Sequence, residues 1–468
     1  MSQITPTSID PQRVSLLHEA EQRRFDATHP GSRARFEQGQ RHWLYGAPSH
    51  WMRRWIGGAP LYIREAQGAR LTDVDGHVYA DFCLGDTGGM CGHGHPAIAQ
   101  AVATQLARGG GSMMLPTDDA AWVGEELQRR FGLPYWNLTT SASDANRACI
   151  RLARMVTGRP RVLVFSGCYH GSVEEAHVEL VDGKVGLRNG IDPNAFDHQR
   201  LSAVVEFNDL PALEQALAAG DVACVLTEPV MTNYGIIAPE PGFLDALRAA
   251  CTRHGSLLIV DETHTLSSGP RGHAAPLGLQ PDMFVVGKAI AGGIPAAAFG
   301  VAEAVAQRIW QRVPKVSPTV RQSAHLGFGG TLAGNAVSVA AIRAVLEQVL
   351  TAPAFERMIG LATRLEDDIG AVIGRHRLPW HALRVGARVE TMFAPRPVRN
   401  ASEFRASRDG ALEALVHLWM LNRGVLITPF HLMLLICPAT TDDDVARHRD
   451  AFAELADALT SASAAVGG

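Results

Sequence analysis

The chain has 468 residues, 46% of them hydrophobic and 19% charged, enough apolar material to bury one large core and a smaller one. Its net charge of −4 supplies no broad positive field for phosphate backbones or anionic lipid, so neither a nucleic acid nor a membrane is an expected partner. Seven cysteines, Cys83, Cys91, Cys149, Cys168, Cys224, Cys251 and Cys437, are scattered, odd in number and never spaced Cys-x-x-Cys, so neither a disulfide framework nor a zinc site is expected.

The opening residues lack the apolar centre of a signal peptide, and no later run approaches the length a bilayer span requires, so a cytoplasmic, reducing location is expected. Residues 11 to 42 mix charges with spaced apolar residues, Leu16, Leu17, Phe25 and Phe36, the pattern of surface helix. From Leu61 to Phe82 alternating stretches flank Asp75-Gly76, predicting a small antiparallel sheet. Beyond about residue 95, helical stretches alternate with short apolar runs at Arg161 to Phe165, Val222 to Leu226, Ser256 to Val260 and Met283 to Val286. Such runs suit strands buried on both faces of a mainly parallel sheet, with helices such as Pro241 to His254 as crossovers. After about residue 335 come long helices, Ala336 to Val349 and Ala354 to His376, then short strands near Arg384 to Phe393 and Gly424 to Ile427, then a last helix. The expected organisation is an N-terminal segment, residues 1–80, joining the smaller domain; a large α/β domain, residues 81–335; and a C-terminal small α+β domain, residues 336–468. The Ala/Gly/Ser-rich end is expected to fray.

Two apolar strands each deliver an ionisable residue at the C-terminal end: Leu257 to Val260 leads to Asp261-Glu262, and Phe284 to Gly287 leads to Lys288. Ligands bind at that edge of open α/β sheets. A lysine there can form a Schiff base, and an aspartate can keep a pyridinium nitrogen protonated, the pairing that makes pyridoxal 5′-phosphate (PLP) an electron sink. Taken singly, each has a plainer role, a turn cap for the aspartate and a solvent-reaching chain for the lysine. The glycine-rich Ala289 to Pro295 after Lys288 shifts the balance, because it leaves room for a flat ligand. Thr139 to Asn146 opens a helical stretch whose first N–H groups suit a phosphate, or merely a serine N-cap. Tyr169, in Ser166 to Gly171, is placed to stack on a heteroaromatic ring or to pack in a turn. Glu228, in Thr227-Glu228-Pro229, orders a pocket or solvates a turn.

Together these segments resemble the class III aminotransferases of PLP fold type I, especially glutamate-1-semialdehyde aminomutase and the β-amino-acid transaminases. The resemblance spans roughly residues 60 to 440 and rests on VDGHVYADFCLGDTGGMCGHGHPAI, SASDANRACIRLAR, FSGCYHG, TEPVMTNYG, IVDETHT, VVGKAIAGGIPAAAFG and GGTLAGNAVSVAA, in that family's order. It implies that Lys288 is the Schiff-base lysine and that Asp261 pairs with the pyridine nitrogen. It implies a phosphate held by Ser141, Ala142 and Ser143, a ring stacked on Tyr169, and a pocket that includes His170 and Glu228. The residue matching Thr331 reaches the phosphate from a neighbouring subunit in that family, which implies a homodimer with shared active sites. An arginine before the first hairpin, Arg53 or Arg54, would take a substrate carboxylate, with Arg388 a second candidate. The sequence departs from the family where Ala142 replaces the usual glycine, and where Thr263 and His264 follow the Asp-Glu pair in place of Val and Met or Gln. His264 either approaches the cofactor's phenolic oxygen or packs as a structural histidine.

The activity implied is transamination between a small-molecule amino donor and a keto acid acceptor, with an intramolecular 2,1-aminomutase as the alternative. A dinucleotide-binding oxidoreductase is the reading from another class, from the glycines of Gly85 to Gly92, which fit GxGxxG poorly.

Overall fold

The computed structural model describes residues 9–313 and 327–461; the C-terminal tail expected to fray lies almost wholly outside them. Two compact units emerge: residues 1–95, 356–397 and 407–468, and residues 96–355 with 398–406.

The second unit is built on a seven-stranded sheet in the order Tyr135–Thr139, Ala297–Val301, Met283–Val286, Leu257–Asp261, Val222–Thr227, Arg161–Phe165, Ser202–Val205. Neighbours are parallel except Ala297–Val301, which runs antiparallel to both of its partners. Six strands thus point their C-terminal ends to one edge. The central strands are buried along their whole length, which is why the sequence shows unbroken apolar runs there instead of alternation. Ala297–Val301 escaped the sequence reading because Ala-Ala-Phe-Gly-Val resembles loop. Its Gly300 is demanded by packing, since a Cβ there would stand 2.8 Å from the Trp136 ring of the next strand. The hairpin of Val178–Val181 and Lys184–Leu187 around Asp182-Gly183 was also unanticipated.

The helix Ala142–Thr157 packs against this sheet, burying Ala145, Ala148, Cys149, Leu152 and Val156 along one face. Buried Arg130, near the end of the helix Asp119–Phe131, donates to the Leu350 carbonyl at 2.9 Å and to that of Leu346, and pairs with Glu126 at 2.6 Å. It thereby satisfies carbonyls where Ala336–Ala344 widens into a π turn, Val345–Val349.

In the first unit, strands Ile63–Gln67, Arg70–Asp73 and Val78–Asp81 form the expected antiparallel sheet, extended by Val425–Leu426 in parallel. His381–Val385 and Arg388–Met392 make a hairpin with Met433–Leu435 alongside. The expected N-terminal helix is two, Pro11–Thr28 and Pro30–Gly39, because Pro30 lacks the N–H needed to continue the first. Phe25, Leu71, Tyr79, Leu418, Leu421 and Leu426 form a buried cluster there. The unit boundaries differ from the expected 80/81 and 335/336. Residues 81–95 stay with the small sheet, where Gly68 and His93 exchange backbone hydrogen bonds of 2.8 Å, while the helix Ala336–Ala344 packs on Pro96–Ala107 of the second unit. The Gly85–Gly92 segment is a series of turns and no strand-turn-helix unit. Among the described residues no single helix is long and apolar enough to cross a membrane.

Candidate active site

The C-terminal ends of four adjacent parallel strands carry the residues singled out in the sequence. Met283–Val286 leads to Lys288, Leu257–Asp261 to Asp261 and His264, Val222–Thr227 to Glu228, and Arg161–Phe165 to Tyr169 and His170. A fifth strand of the same direction, Tyr135–Thr139, leads to Ser141. One sheet edge therefore gathers them, as open α/β sheets do with their ligand sites.

Asp261 is buried. Its Oδ1 accepts the Thr263 amide at 3.0 Å, and its Oδ2 accepts the Asn146 side-chain amide at 2.8 Å and His170 Nδ1 at 2.9 Å. Burial alone would raise the carboxyl pKa, but these donors and the charge of His170 hold it well below the usual range. Burial likewise opposes the charged form of His170, yet Cys168 and Asp261 beside it carry its pKa well above the ordinary value. The two directions agree on a buried ion pair whose carboxylate is ionised at neutral pH.

Lys288 adopts a left-handed backbone, φ 48°, a conformation a side chain occupies at a cost where the surroundings impose it. Its Nζ lies 2.5 Å from His264 Nε2. His264 Nδ1 is 2.7 Å from the Thr232 hydroxyl, which in turn donates to Glu228, and Glu228 also accepts Asn233 Nδ2 at 3.0 Å. Because the threonine proton goes to the carboxylate, Nδ1 carries the histidine proton, and Nε2 presents a lone pair to Lys288. Burial raises the Glu228 pKa. The His264 side chain thus meets the lysine amine itself. Glu262, the other half of the Asp-Glu pair, turns away to accept the His273 amide at 2.8 Å and the Ala274 amide at 2.6 Å, so it anchors a loop.

Ser141 caps the helix Ala142–Thr157, its hydroxyl accepting the Asp144 amide at 3.2 Å. The amides of Ala142 and Ser143, in the first turn, have no carbonyl within the helix to bond. Gly171 presses on this turn: a Cβ there would stand 2.0 Å from Ser143 Oγ, which already accepts the Ser172 amide at 3.0 Å. Gly287 does the same from the Lys288 side, its Cβ position 2.8 Å from that of Ala142. Two glycine-bearing loops thus close around a helix N-terminus, a ready seat for a phosphate.

Tyr169 is half-buried. Thr331 sits in an exposed turn, where its carbonyl accepts the Ser112 hydroxyl at 3.2 Å. The three arginines belong to the other unit. Arg53 lies over the Phe36 ring and donates to the Gly58 carbonyl at 3.1 Å. Arg54 lies over Trp51 and Phe430. Arg388 is fully buried and donates to the Thr87 hydroxyl. Sequence reasoning passed over Asn146 and Thr232. Asn146 carries the one available signal, an amide side chain beside the apolar face of a helix that opens the phosphate motif.

A solved structure of a lysine-to-alanine variant of a glutamate-1-semialdehyde aminomutase from Pseudomonas aeruginosa PAO1, in complex with PMP, superposes with a TM-score of 0.94 at 52% identity, covering 96% of this chain and 99% of that one. A β-phenylalanine aminotransferase from Variovorax paradoxus superposes with a TM-score of 0.83 at 27% identity, over 94% and 97% of the two chains. Fold and site together define a PLP-dependent enzyme of fold type I. A glutamate-1-semialdehyde 2,1-aminomutase of Anaeromyxobacter dehalogenans is 34% identical over 415 residues, 86% of this chain and 92% of that protein. The class-III aminotransferase model matches residues 52–454, and the chain belongs to that family.

The residues present fit the cofactor. Asn146 Oδ1, His170 Nε2 and Thr263 Oγ1, all on residues bonded to Asp261, are buried without a hydrogen-bond partner among the described residues. Three such atoms around one buried carboxylate are polar groups that a bound ligand can satisfy.

Proposed function

We propose that the enzyme moves an amino group between neighbouring carbons of a single amino-aldehyde substrate, as a 2,1-aminomutase of the glutamate-1-semialdehyde type. The observation that carries this reading is the 52% identity over 96% of the chain to a protein named for that activity, supported by the 34% identity to the Anaeromyxobacter relative. In this reading Lys288 would hold the cofactor covalently, Asp261 would pair with its ring nitrogen, and Tyr169 would stack on the ring. Ser141, Ala142 and Ser143 take the phosphate, joined by Thr331 from a second copy in a cytoplasmic homodimer. Arg53, Arg54 or Arg388 takes a substrate carboxylate.

When bound, PLP withdraws electrons from the carbon that carries the amino group. The chain's own residues manage charge and protons around it. Asp261, kept ionised by His170, Asn146 and the Thr263 amide, would favour a protonated ring nitrogen on a bound cofactor. Lys288 Nζ is the mobile base, and His264 Nε2 at 2.5 Å is placed to share its proton. Glu228 and Thr232 fix the tautomer of that histidine.

The test supplies glutamate 1-semialdehyde as sole substrate. Formation of 5-amino-4-oxopentanoate without any keto acid is the expected result; amino transfer that requires a keto acid overturns it. That outcome would favour the second reading, a transaminase working between an amino acid or amine and a keto acid, which draws on the likeness to the β-phenylalanine aminotransferase.

A further inference from the structure

The described residues of the first unit bring together two histidines and a carboxylate that play no part in the chemistry above. His29, at the end of the helix Pro11–Thr28, meets Asp73 and His77 of the small sheet. One ring nitrogen from each histidine and one oxygen of Asp73 all lie within 4.8 Å of one another. Asp73 Oδ2 is 3.5 Å from His29 Nε2 and 3.0 Å from His77 Nδ1. Ligand atoms around a tetrahedral ion with bonds of about 2.0 to 2.1 Å stand about 3.3 Å apart, close to the two separations that Asp73 Oδ2 makes.

The surroundings orient two of the three donors. His29 Nδ1 lies 3.0 Å from the Phe25 carbonyl and 3.0 Å from the Thr28 hydroxyl, and its Nε2 faces the cluster, 2.8 Å from the Tyr79 hydroxyl; with the proton on Nδ1, Nε2 is the metal-binding nitrogen. Asp73 Oδ1 accepts the Asp75 amide at 2.9 Å and the His77 amide at 2.8 Å, so Oδ2 is the oxygen turned inward. His29 and Asp73 are buried, whereas the His77 side chain is 38% exposed, which gives an ion its entry and a water its coordination position.

Tyr79 Oη lies 2.8 Å from His29 Nε2 and 2.8 Å from Asp73 Oδ2, so a phenol oxygen stands beside the three donors.

We propose that His29, Asp73 and His77 form a divalent transition-metal site of the zinc type, which clips the N-terminal helix to the small sheet. The donor set of two imidazoles and one carboxylate selects zinc over magnesium or calcium. Cysteine spacing could not reveal it, because no thiol takes part.

The test uses the full chain with its cofactor, stripped with EDTA and titrated with zinc by calorimetry, with metal content measured after gel filtration. One zinc per chain is expected, together with a rise in melting temperature on zinc addition. His77→Ala, which removes a partly exposed ring, should lower zinc affinity by more than the roughly 100-fold that loss of an outer-shell partner can cost and abolish the zinc-dependent rise. Cobalt substitution of the unmutated chain should give visible d–d bands of a tetrahedral nitrogen and oxygen site. Absence of stoichiometric zinc, undiminished binding by His77→Ala, or cobalt bands dominated by thiolate charge transfer would each overturn the assignment.

Discussion

Gly171→Ala tests the phosphate seat directly. The glycine has φ +78°, and an added Cβ would stand 2.0 Å from Ser143 Oγ, 2.9 Å from its Cβ and 3.1 Å from its Cα. The left-handed backbone alone costs alanine about 1 to 2 kcal/mol. Turning the Ser143 hydroxyl away breaks its bond from the Ser172 amide, 3.0 Å long, for about another 1 kcal/mol. The total, about 2 to 3 kcal/mol, falls on the first turn of the helix that is to hold the phosphate. PLP titrated into the cofactor-free variant, followed by absorbance, should therefore bind about 30- to 150-fold more weakly if most of this strain is relieved only in the phosphate-free state. Gly183→Ala is the control: φ is +72° there as well, but nothing lies within 4 Å of the Cβ position. It should lose about 1 kcal/mol of stability and bind PLP as the parent does. Equal cofactor affinity in Gly171→Ala and Gly183→Ala would refute the reasoning.

The Asp261–His170 pair sets a pH dependence of stability. A carboxylate whose folded pKa is lowered contributes above its unfolded value of 3.8 and loses that contribution as pH falls through the lower folded value; a histidine whose folded pKa is raised contributes fully below 6.5 and loses it as pH rises through the higher folded value. Urea midpoints of the cofactor-free protein should accordingly show the pair's full effect between pH 3.8 and 6.5. Asp261→Asn should cost about 3 kcal/mol at pH 5 and flatten the decline above pH 6.5; a variant that keeps the parent's pH profile would contradict the pairing. Arg130→Met leaves the carbonyls of Leu346 and Leu350 without their buried donor and should lower stability by about 3 kcal/mol, read from the denaturation midpoint; a loss below about 1 kcal/mol would show those carbonyls satisfied otherwise.

Much of this protein was legible in the chain because its signals are local. Strands buried on both faces announce themselves as apolar runs, and a parallel sheet must place their C-terminal residues on one edge, so Asp261, Lys288, Glu228 and His170 were readable as a group. Family resemblance then supplied their roles. What is not local was not readable. Ala297–Val301 is strand only because its neighbours bury it, and Gly300 is there because of a tryptophan more than 160 positions earlier. The Asn146 contact with Asp261, the Thr232 contact with His264, the lone pair that His264 turns to Lys288, and the meeting of His29 with Asp73 and His77 all join residues separated in sequence by two dozen positions or more. Periodicity and turn chemistry report on neighbours along the chain, whereas hydrogen-bond direction and buried charge are decided by whichever side chains folding brings within about 3 Å, and only the tertiary structure holds that information.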